Sequence, residues 1–262
     1  MIEVLRDSGR PWRVGHKGAA ALAPENTIAS FERALEHGVD ILEFDVLDLA
    51  DGTLVLAHSD DLLEVSHGVA SGRVREKTLS ELRRAVPALP TFDEALEFLA
   101  ERAPGTGIQV DVKWVDYEAS VVKALQRHGA VAQTLVSSFF PRTLRAVAEL
   151  EPGLRLALSY PRDRRGLSRR RALAPAVLGA VLAMRQALPH RIGPWLERSG
   201  ATVATLNHMV VSRATVERCH SRGAAVWAWT VDDRRALARA VAVGVDGIIT
   251  NDPRIFAASL TT

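Results

Sequence analysis

Short runs of Val, Ile and Leu recur along this 262-residue chain, separated by stretches whose apolar positions return every three or four residues. The short runs predict strands at 13–16, 41–46, 53–58, 107–114, 134–139, 155–160, 202–206, 225–231 and 247–250. Their composition suits strands covered on both faces of a parallel sheet. The longer stretches predict helices. Residues 27–37 carry Ile28, Phe31 and Leu35 on one face, with Asn26 or Thr27 as the N-cap and Gly38 as the stop. Residues 91–102 repeat the device with Phe92, Leu96 and Leu99, and similar patterns occupy 115–128, 141–150, 212–222 and 232–243.

Alternating strand and helix along the whole chain predicts an α/β fold. Nine strands exceed a closed barrel by one. The runs 41–46 and 53–58 are separated by a linker containing Asp51-Gly52, too short for a helix, so they read as a hairpin with 53–58 as the extra strand. Eight βα units remain. They predict a (β/α)8 TIM barrel as one domain over residues 1–262, with its chemistry at the C-terminal strand ends. Two stretches break the rhythm: a polar insertion over 59–90 with little periodicity, and a basic and apolar segment over 161–200.

Composition narrows the class. Hydrophobic residues make up 47% of the chain, enough for a large core, yet no apolar run is long enough to span a bilayer. A net charge of +2 gives no reason to expect nucleic acid as a partner. Cys219 is the only cysteine, which excludes an intramolecular disulfide and a cysteine-based zinc site. The same cysteine usage makes a reducing, cytoplasmic setting the expectation, and the first residues show no apolar signal region.

The strand ends carry the chemistry. In ILEFDV, period two places Ile41, Glu43 and Asp45 on one face and Leu42, Phe44 and Val46 on the other. In IQVDVKW, Gln109, Asp111 and Lys113 share a face. Carboxylates on barrel strands are costly to bury unless paired or bound to a cation. Glu43, Asp45 and Asp111 therefore read as oxygen ligands for a hard divalent cation, Mg²⁺ or Ca²⁺. The competing reading is a buried ion network with Lys113. His16 and His58 also end strands, where imidazoles serve as base or acid near neutral pH. Lys17 and Lys113 would supply charge for an anionic substrate. Trp229, nearer its strand end than Trp227, is the candidate for packing on a polyol, and Trp227 reads as core. His37 and His128 precede glycines at helix ends, where a cation suits the dipole.

The pieces "GHKG", "PENT", "LEFDV", "DGTLVLAH", "VDVK", "SSF", "WAWTV" and "GVDGIITNDP" occur in that order over nearly the whole chain. In order and spacing they resemble the glycerophosphodiester phosphodiesterase family. The resemblance implies a metal-dependent TIM-barrel hydrolase that converts glycerophosphodiesters to an alcohol and sn-glycerol 3-phosphate. It places the metal acids at Glu43, Asp45 and Asp111, and the acid–base pair at His16 and His58. The strand lysine falls at Lys113 and the substrate-packing tryptophan at Trp229. Glu25 and Asn26 match the turn after the first histidine and are expected to brace the site. Ser138 and Phe139 match a fourth-strand motif. Three positions depart from the family pattern: Lys17 replaces an arginine, Ser59 an aspartate, and Asp111 a common glutamate.

Two alternatives accompany this expectation. One is lysophospholipase D-type activity, in which a lipid occupies the same site. The other is a non-catalytic ligand-binding or membrane-associated barrel. The segment 162–184 joins an arginine run to an apolar stripe of Leu173, Val177, Val181 and Met184, which suits peripheral contact with an anionic bilayer. A barrel-covering helix accounts for the same stripe.

Overall fold

Eight parallel strands close on themselves in the computed structural model, which describes residues 2–6, 9–162 and 174–259. The ring contains β1 (Trp12–His16), β2 (Ile41–Asp48), β4 (Gly107–Val112), β5 (Thr134–Ser138), β6 (Arg155–Tyr160), β7 (Val203–Asn207), β8 (Ala225–Trp229) and β9 (Gly247–Thr250). Closure comes from β1, which pairs with β9 on one side and β2 on the other. The extra strand, β3 (Leu54–Leu56), runs antiparallel on β2, as the hairpin reading requires. Its turn is fixed by the Thr53 backbone N–H donating to Asp51 Oδ1 at 3.0 Å, with Gly52 in the left-handed region.

Strand alternation sorts side chains into two cores. Leu42, Phe44 and Val46 face outward and pack beneath the helices with Phe31 of α1 (Ile28–Glu36) and Phe92 of α4 (Phe92–Arg102). The Phe31 and Phe44 ring centroids are 5.2 Å apart. Val14, Ile41, Leu135, Val203, Trp227 and Ile249 fill the barrel interior. Trp227 is wholly buried there, its indole N–H donating to the Val4 carbonyl at 2.9 Å. Gly247 makes this possible, because a Cβ at that position would lie 2.6 Å from the indole. Thr27, not Asn26, caps α1, through a reciprocal bond pair with Ser30.

Residues 59–90 are more ordered than their pattern suggests. They form α2 (Leu62–Val65) and α3 (Leu79–Ala85), and bury Leu62, Val74, Leu82 and Leu89 against Leu47 and Val55. Neither helix exceeds seven residues, too few to repeat a periodic signature. Capping compensates: Thr78 and Glu81 form a capping box at the start of α3. The strand expected over 107–114 stops at Val112. The Tyr117 hydroxyl takes over there, accepting from the Lys113 and Trp114 backbone N–H groups and donating to the Val46 carbonyl at 2.6 Å.

The segment 161–200 contains a 26-residue helix, α7 (Ala174–Ser199), which Pro189 and Pro194 disguise in the sequence. Val181 and Met184 of the expected stripe pack against the core. Leu178 and Leu182 on the other side are exposed. The arginine run and Leu173 lie outside the described residues. Among the described residues, no helix is long and apolar enough to cross a membrane. The remaining helices, α5 (Glu118–Arg127), α6 (Pro141–Leu150), α8 (Arg213–His220) and α9 (Arg234–Val243), follow their strands as the periodicity predicts.

Candidate active site

The C-terminal ends of β1, β2 and β4 bring the predicted residues to one mouth. His16 is the last residue of β1 and stands opposite Glu43 in register. Asp45 stands opposite Asp111 in the same way. His58 arrives from the end of β3, beside the Ala57–Asp45 backbone bond.

After His16 the chain reverses sharply. Lys17 and Gly18 both adopt left-handed backbone conformations. A Cβ on Gly18 would collide with Ser30, so this glycine lets the bend pack on α1. The reversal points the Lys17 backbone N–H at Glu43 Oε2, 2.8 Å away. The Lys17 ammonium pairs with Glu25.

Lys113 lies between two carboxylates, its Nζ 2.6 Å from Asp45 Oδ1 and 2.6 Å from Asp111 Oδ2. Asp111 Oδ1 accepts from the Ser137 hydroxyl at 2.7 Å, and that hydroxyl accepts from Gln109 Nε2 at 3.1 Å. Asn26 binds Asp45 twice, donating from Nδ2 to Oδ2 and accepting the Asp45 backbone N–H, each at 3.0 Å. Burial and then the Asp45 charge push the Glu43 carboxyl well above the ordinary carboxylate range. Burial also opposes ionisation of Asp45, but Lys113, with His58 and Lys17, outweighs it and holds that carboxyl below its usual range.

The two histidines differ in their partners. His16 Nδ1 lies 2.6 Å from Asn251 Oδ1, and its Nε2 lies 3.9 Å from Glu43 Oε2. Burial, followed by the Lys17 charge, pushes the His16 imidazole down to about 4. His58 Nδ1 faces Glu25 Oε1 at 3.4 Å and Glu64 Oε1 at 4.0 Å. Burial lowers His58 too, and the Asp45 charge partly opposes it. Trp229 is half-buried at the end of β8, donating its indole N–H to the Thr205 carbonyl at 3.0 Å and packing edge-on to Phe139. His128 caps α5 and meets Asp93, while His220 ends α8 and meets Asp246, each at the C-terminus of its helix.

Three neighbours of the histidines went unmarked in the sequence: Glu64, Asn251 and Asp232. Asn251 sits in the closing segment GVDGIITNDP, whose Gly and Pro punctuation reads as more structural than catalytic. Its partner Asp232 begins the loop after β8. Only contact across separate strands exposes either of them.

Among the described residues, no three His, Cys, Asp or Glu side chains form a ready metal cage, since Lys113 separates Asp45 from Asp111. The donor set nonetheless fits a hard cation. Glu43, Asp45 and Asp111 offer only oxygen, and all three are buried. Asp45 Oδ1 receives no hydrogen bond of good geometry. One ammonium between Asp45 and Asp111 leaves negative charge there to be neutralised.

The model of the glycerophosphoryl diester phosphodiesterase family matches residues 16–255. A glycerophosphodiester phosphodiesterase of Caldanaerobacter subterraneus subsp. tengcongensis is 28% identical over 256 residues, covering 92% of this chain and 93% of its own. A Bacillus subtilis glycerophosphodiester phosphodiesterase is 25% identical over 272 residues, covering 93% and 84%. Among solved structures, an Oleispira antarctica phosphodiesterase in complex with the product sn-glycerol-3-phosphate superposes with a TM-score of 0.75 at 21% identity, covering 96% and 97%. The Thermotoga maritima glycerophosphodiester phosphodiesterase gives 0.72 at 20%, covering 95% and 98%.

Proposed function

This chain belongs to the glycerophosphoryl diester phosphodiesterase family, and on that premise we propose that it hydrolyses glycerophosphodiesters to an alcohol and sn-glycerol 3-phosphate. The observation that carries the reading is the meeting of His16, His58, Lys17 and Lys113 with three buried carboxylates at one end of the barrel. Two imidazoles and two ammonium groups around an acidic cluster suit in-line displacement at an anionic phosphorus.

Glu43, Asp45 and Asp111 would hold a divalent cation, Mg²⁺ or Ca²⁺. Bound there, it supplies a Lewis acid for a phosphate oxygen. The protein's own groups do the rest. His16 is tied through Nδ1 to Asn251, which leaves Nε2 as the nitrogen that takes the proton of the attacking hydroxyl. That hydroxyl belongs to the substrate's own glycerol or to water. His58, whose Nδ1 faces Glu25 and Glu64, gives a proton to the leaving alkoxide. Lys17 and Lys113 spread the charge that builds on the phosphoryl oxygens. Trp229 offers a flat face to the glycerol. Glu25 and Asn26 brace Lys17 and Asp45.

The test is release of sn-glycerol 3-phosphate from several glycerophosphodiesters, with chelator and with restored Mg²⁺ or Ca²⁺. Loss with chelator and recovery with metal are expected. Replacing His16 or His58 with Ala should lower turnover by roughly a hundredfold or more while the circular dichroism spectrum is kept. Turnover untouched by chelator would end the metal assignment, and near-parental turnover in either variant would end that histidine's role. No release from any substrate would favour a non-catalytic barrel.

A second substrate class is favoured by one observation. Leu178 and Leu182 are exposed near the start of α7, which follows β6 and so begins at the catalytic end of the barrel. An apolar surface there suits lysophospholipid substrates and peripheral contact with a bilayer. Lysophospholipid turnover and co-sedimentation with phosphatidylserine-containing vesicles, both lost in Leu178→Asp/Leu182→Asp, are the expected results; retention of both in the variant would remove this reading.

A further inference from the structure

We propose that Asp232 and Asn251 act as positioning residues that hold neutral His16 in the tautomer with its proton on Nδ1. The argument rests on three strand ends lying side by side. Asp232 follows β8, Thr250 ends β9 with Asn251 directly after it, and His16 ends β1; β8 pairs with β9 and β9 with β1. The tips hand a hydrogen-bond direction from one to the next.

The direction starts at a carboxylate, which only accepts. Asp232 Oδ1 accepts the Asn251 backbone N–H at 2.8 Å and the Thr250 hydroxyl at 3.1 Å. Asp232 Oδ2 accepts from Asn251 Nδ2 at 2.7 Å. Two bonds from one residue to one carboxylate pin the plane of the amide. The amino group must face the carboxylate, so the amide oxygen must face His16. That oxygen lies 2.6 Å from His16 Nδ1, and an amide oxygen only accepts. Nδ1 therefore carries the hydrogen, and Nε2 keeps the lone pair. Nε2 is the nitrogen on the Glu43 side of the ring, 3.9 Å from Glu43 Oε2.

A neutral imidazole otherwise has two tautomers, and only this one can accept a proton through Nε2. The role resembles that of a carboxylate behind a catalytic histidine, but it is relayed through an amide. The amide matters because it converts the Asp232 charge into a fixed orientation without placing a second carboxylate against the ring. The consequence for catalysis rests on the reading of His16 as a base. The tautomer itself does not, and it is measured without turnover.

The experiment uses the full chain labelled with ¹⁵N-histidine. Long-range ¹H–¹⁵N correlation spectra, recorded where His16 is neutral, distinguish the two ring tautomers, and a His16→Gln sample assigns the signal. The parent protein should show the proton on Nδ1. Asp232→Asn releases the amide of Asn251, which can turn and offer its Nδ2 to the ring, so the proton should move toward Nε2. The exchange Asp232→Asn/Asn251→Asp reverses that pair, with a donor at 232 and a residue at 251 that can only accept, and should return the proton to Nδ1.

Turnover of a glycerophosphodiester should follow the spectra. In Asp232→Asn, kcat should fall by about tenfold with KM within about twofold, the size expected for one lost orienting hydrogen bond. The exchange variant should recover most of it. A proton on Nε2 in the parent overturns the proposal, as does an unmoved tautomer in Asp232→Asn. If the spectra behave as expected and no variant or parent hydrolyses a glycerophosphodiester, the positioning pair stands and the proposed reaction falls.

Discussion

Replacing Lys113 with Met tests whether its ammonium is the counter-charge on which the buried acids depend. Nζ is 2.6 Å from Asp45 Oδ1 and 2.6 Å from Asp111 Oδ2. At an effective dielectric near 20, each contact carries a gross attraction of about 6 kcal/mol. Withdrawing the ammonium and two carboxylates from water offsets much of that sum. What the variant reads is the cost of stranding the acids, about 3–5 kcal/mol for a broken buried pair. In a chain of this length that corresponds to a fall in Tm of about 10 °C. The measurement is thermal unfolding followed by circular dichroism in chelator, so that only the protein's own charges count. A second variant sharpens the reasoning. Asp45→Asn removes one of the stranded charges, so Lys113→Met/Asp45→Asn should be less destabilised than the sum of its single changes. A Lys113→Met protein melting within about 2 °C of the parent would refute the argument, because the ammonium would then contribute no more than a surface charge. Strict additivity in the cycle would refute it as well.

Lys17→Arg keeps the charge beside Glu25 and adds a planar fork, so KM for glycerophosphodiesters should fall by about threefold or more; steady-state kinetics decide, and an unchanged KM would show that the fork finds no phosphate. Gly247→Ala places a methyl group 2.6 Å from the Trp227 indole in the barrel interior, which should cost about 1–3 kcal/mol in urea unfolding and broaden the Trp227 environment. Burial, and after it the Asp246 charge, pushes the Cys219 thiol up to about 12 from an ordinary 9.0. The folded thiol therefore stays neutral where the unfolded one ionises. Its contribution to stability is present below pH 9.0 and should be lost as pH rises toward about 12. Urea midpoints across that range, compared with Cys219→Val, should converge, and the native thiol should resist thiol reagents until denatured.

Much of the barrel is legible in the chain because covalent geometry fixes strand faces. In ILEFDV the alternation alone separates Glu43 and Asp45 from Leu42, Phe44 and Val46, and the structure keeps that division. The hairpin at Asp51-Gly52 is legible for a similar reason, since a two-residue turn signal leaves no room for a helix. The insertion over 59–90 was not legible, because helices of four and seven residues are held by caps and by a shared small core. The full extent of α7 was hidden by two prolines that a long helix tolerates in this context.

That acids, imidazoles and ammonium groups gather at strand ends, with the acids sharing a face, can be read along the chain. Period-two geometry and the βα rhythm suffice for that. Which tips touch depends on how the ring closes. Closure of β1 against β9 set Asn251 against His16, and the loop after β8 set Asp232 behind it. Register between β2 and β4 put the Lys113 ammonium between two of the three carboxylates. Apart from Lys113 and Asp111, neighbours on one strand face, these contacts join residues from separate elements, and a hydrogen bond's direction depends on where its partner finally lies. Local pattern fixes the face a side chain occupies; ring closure fixes the neighbour it meets there.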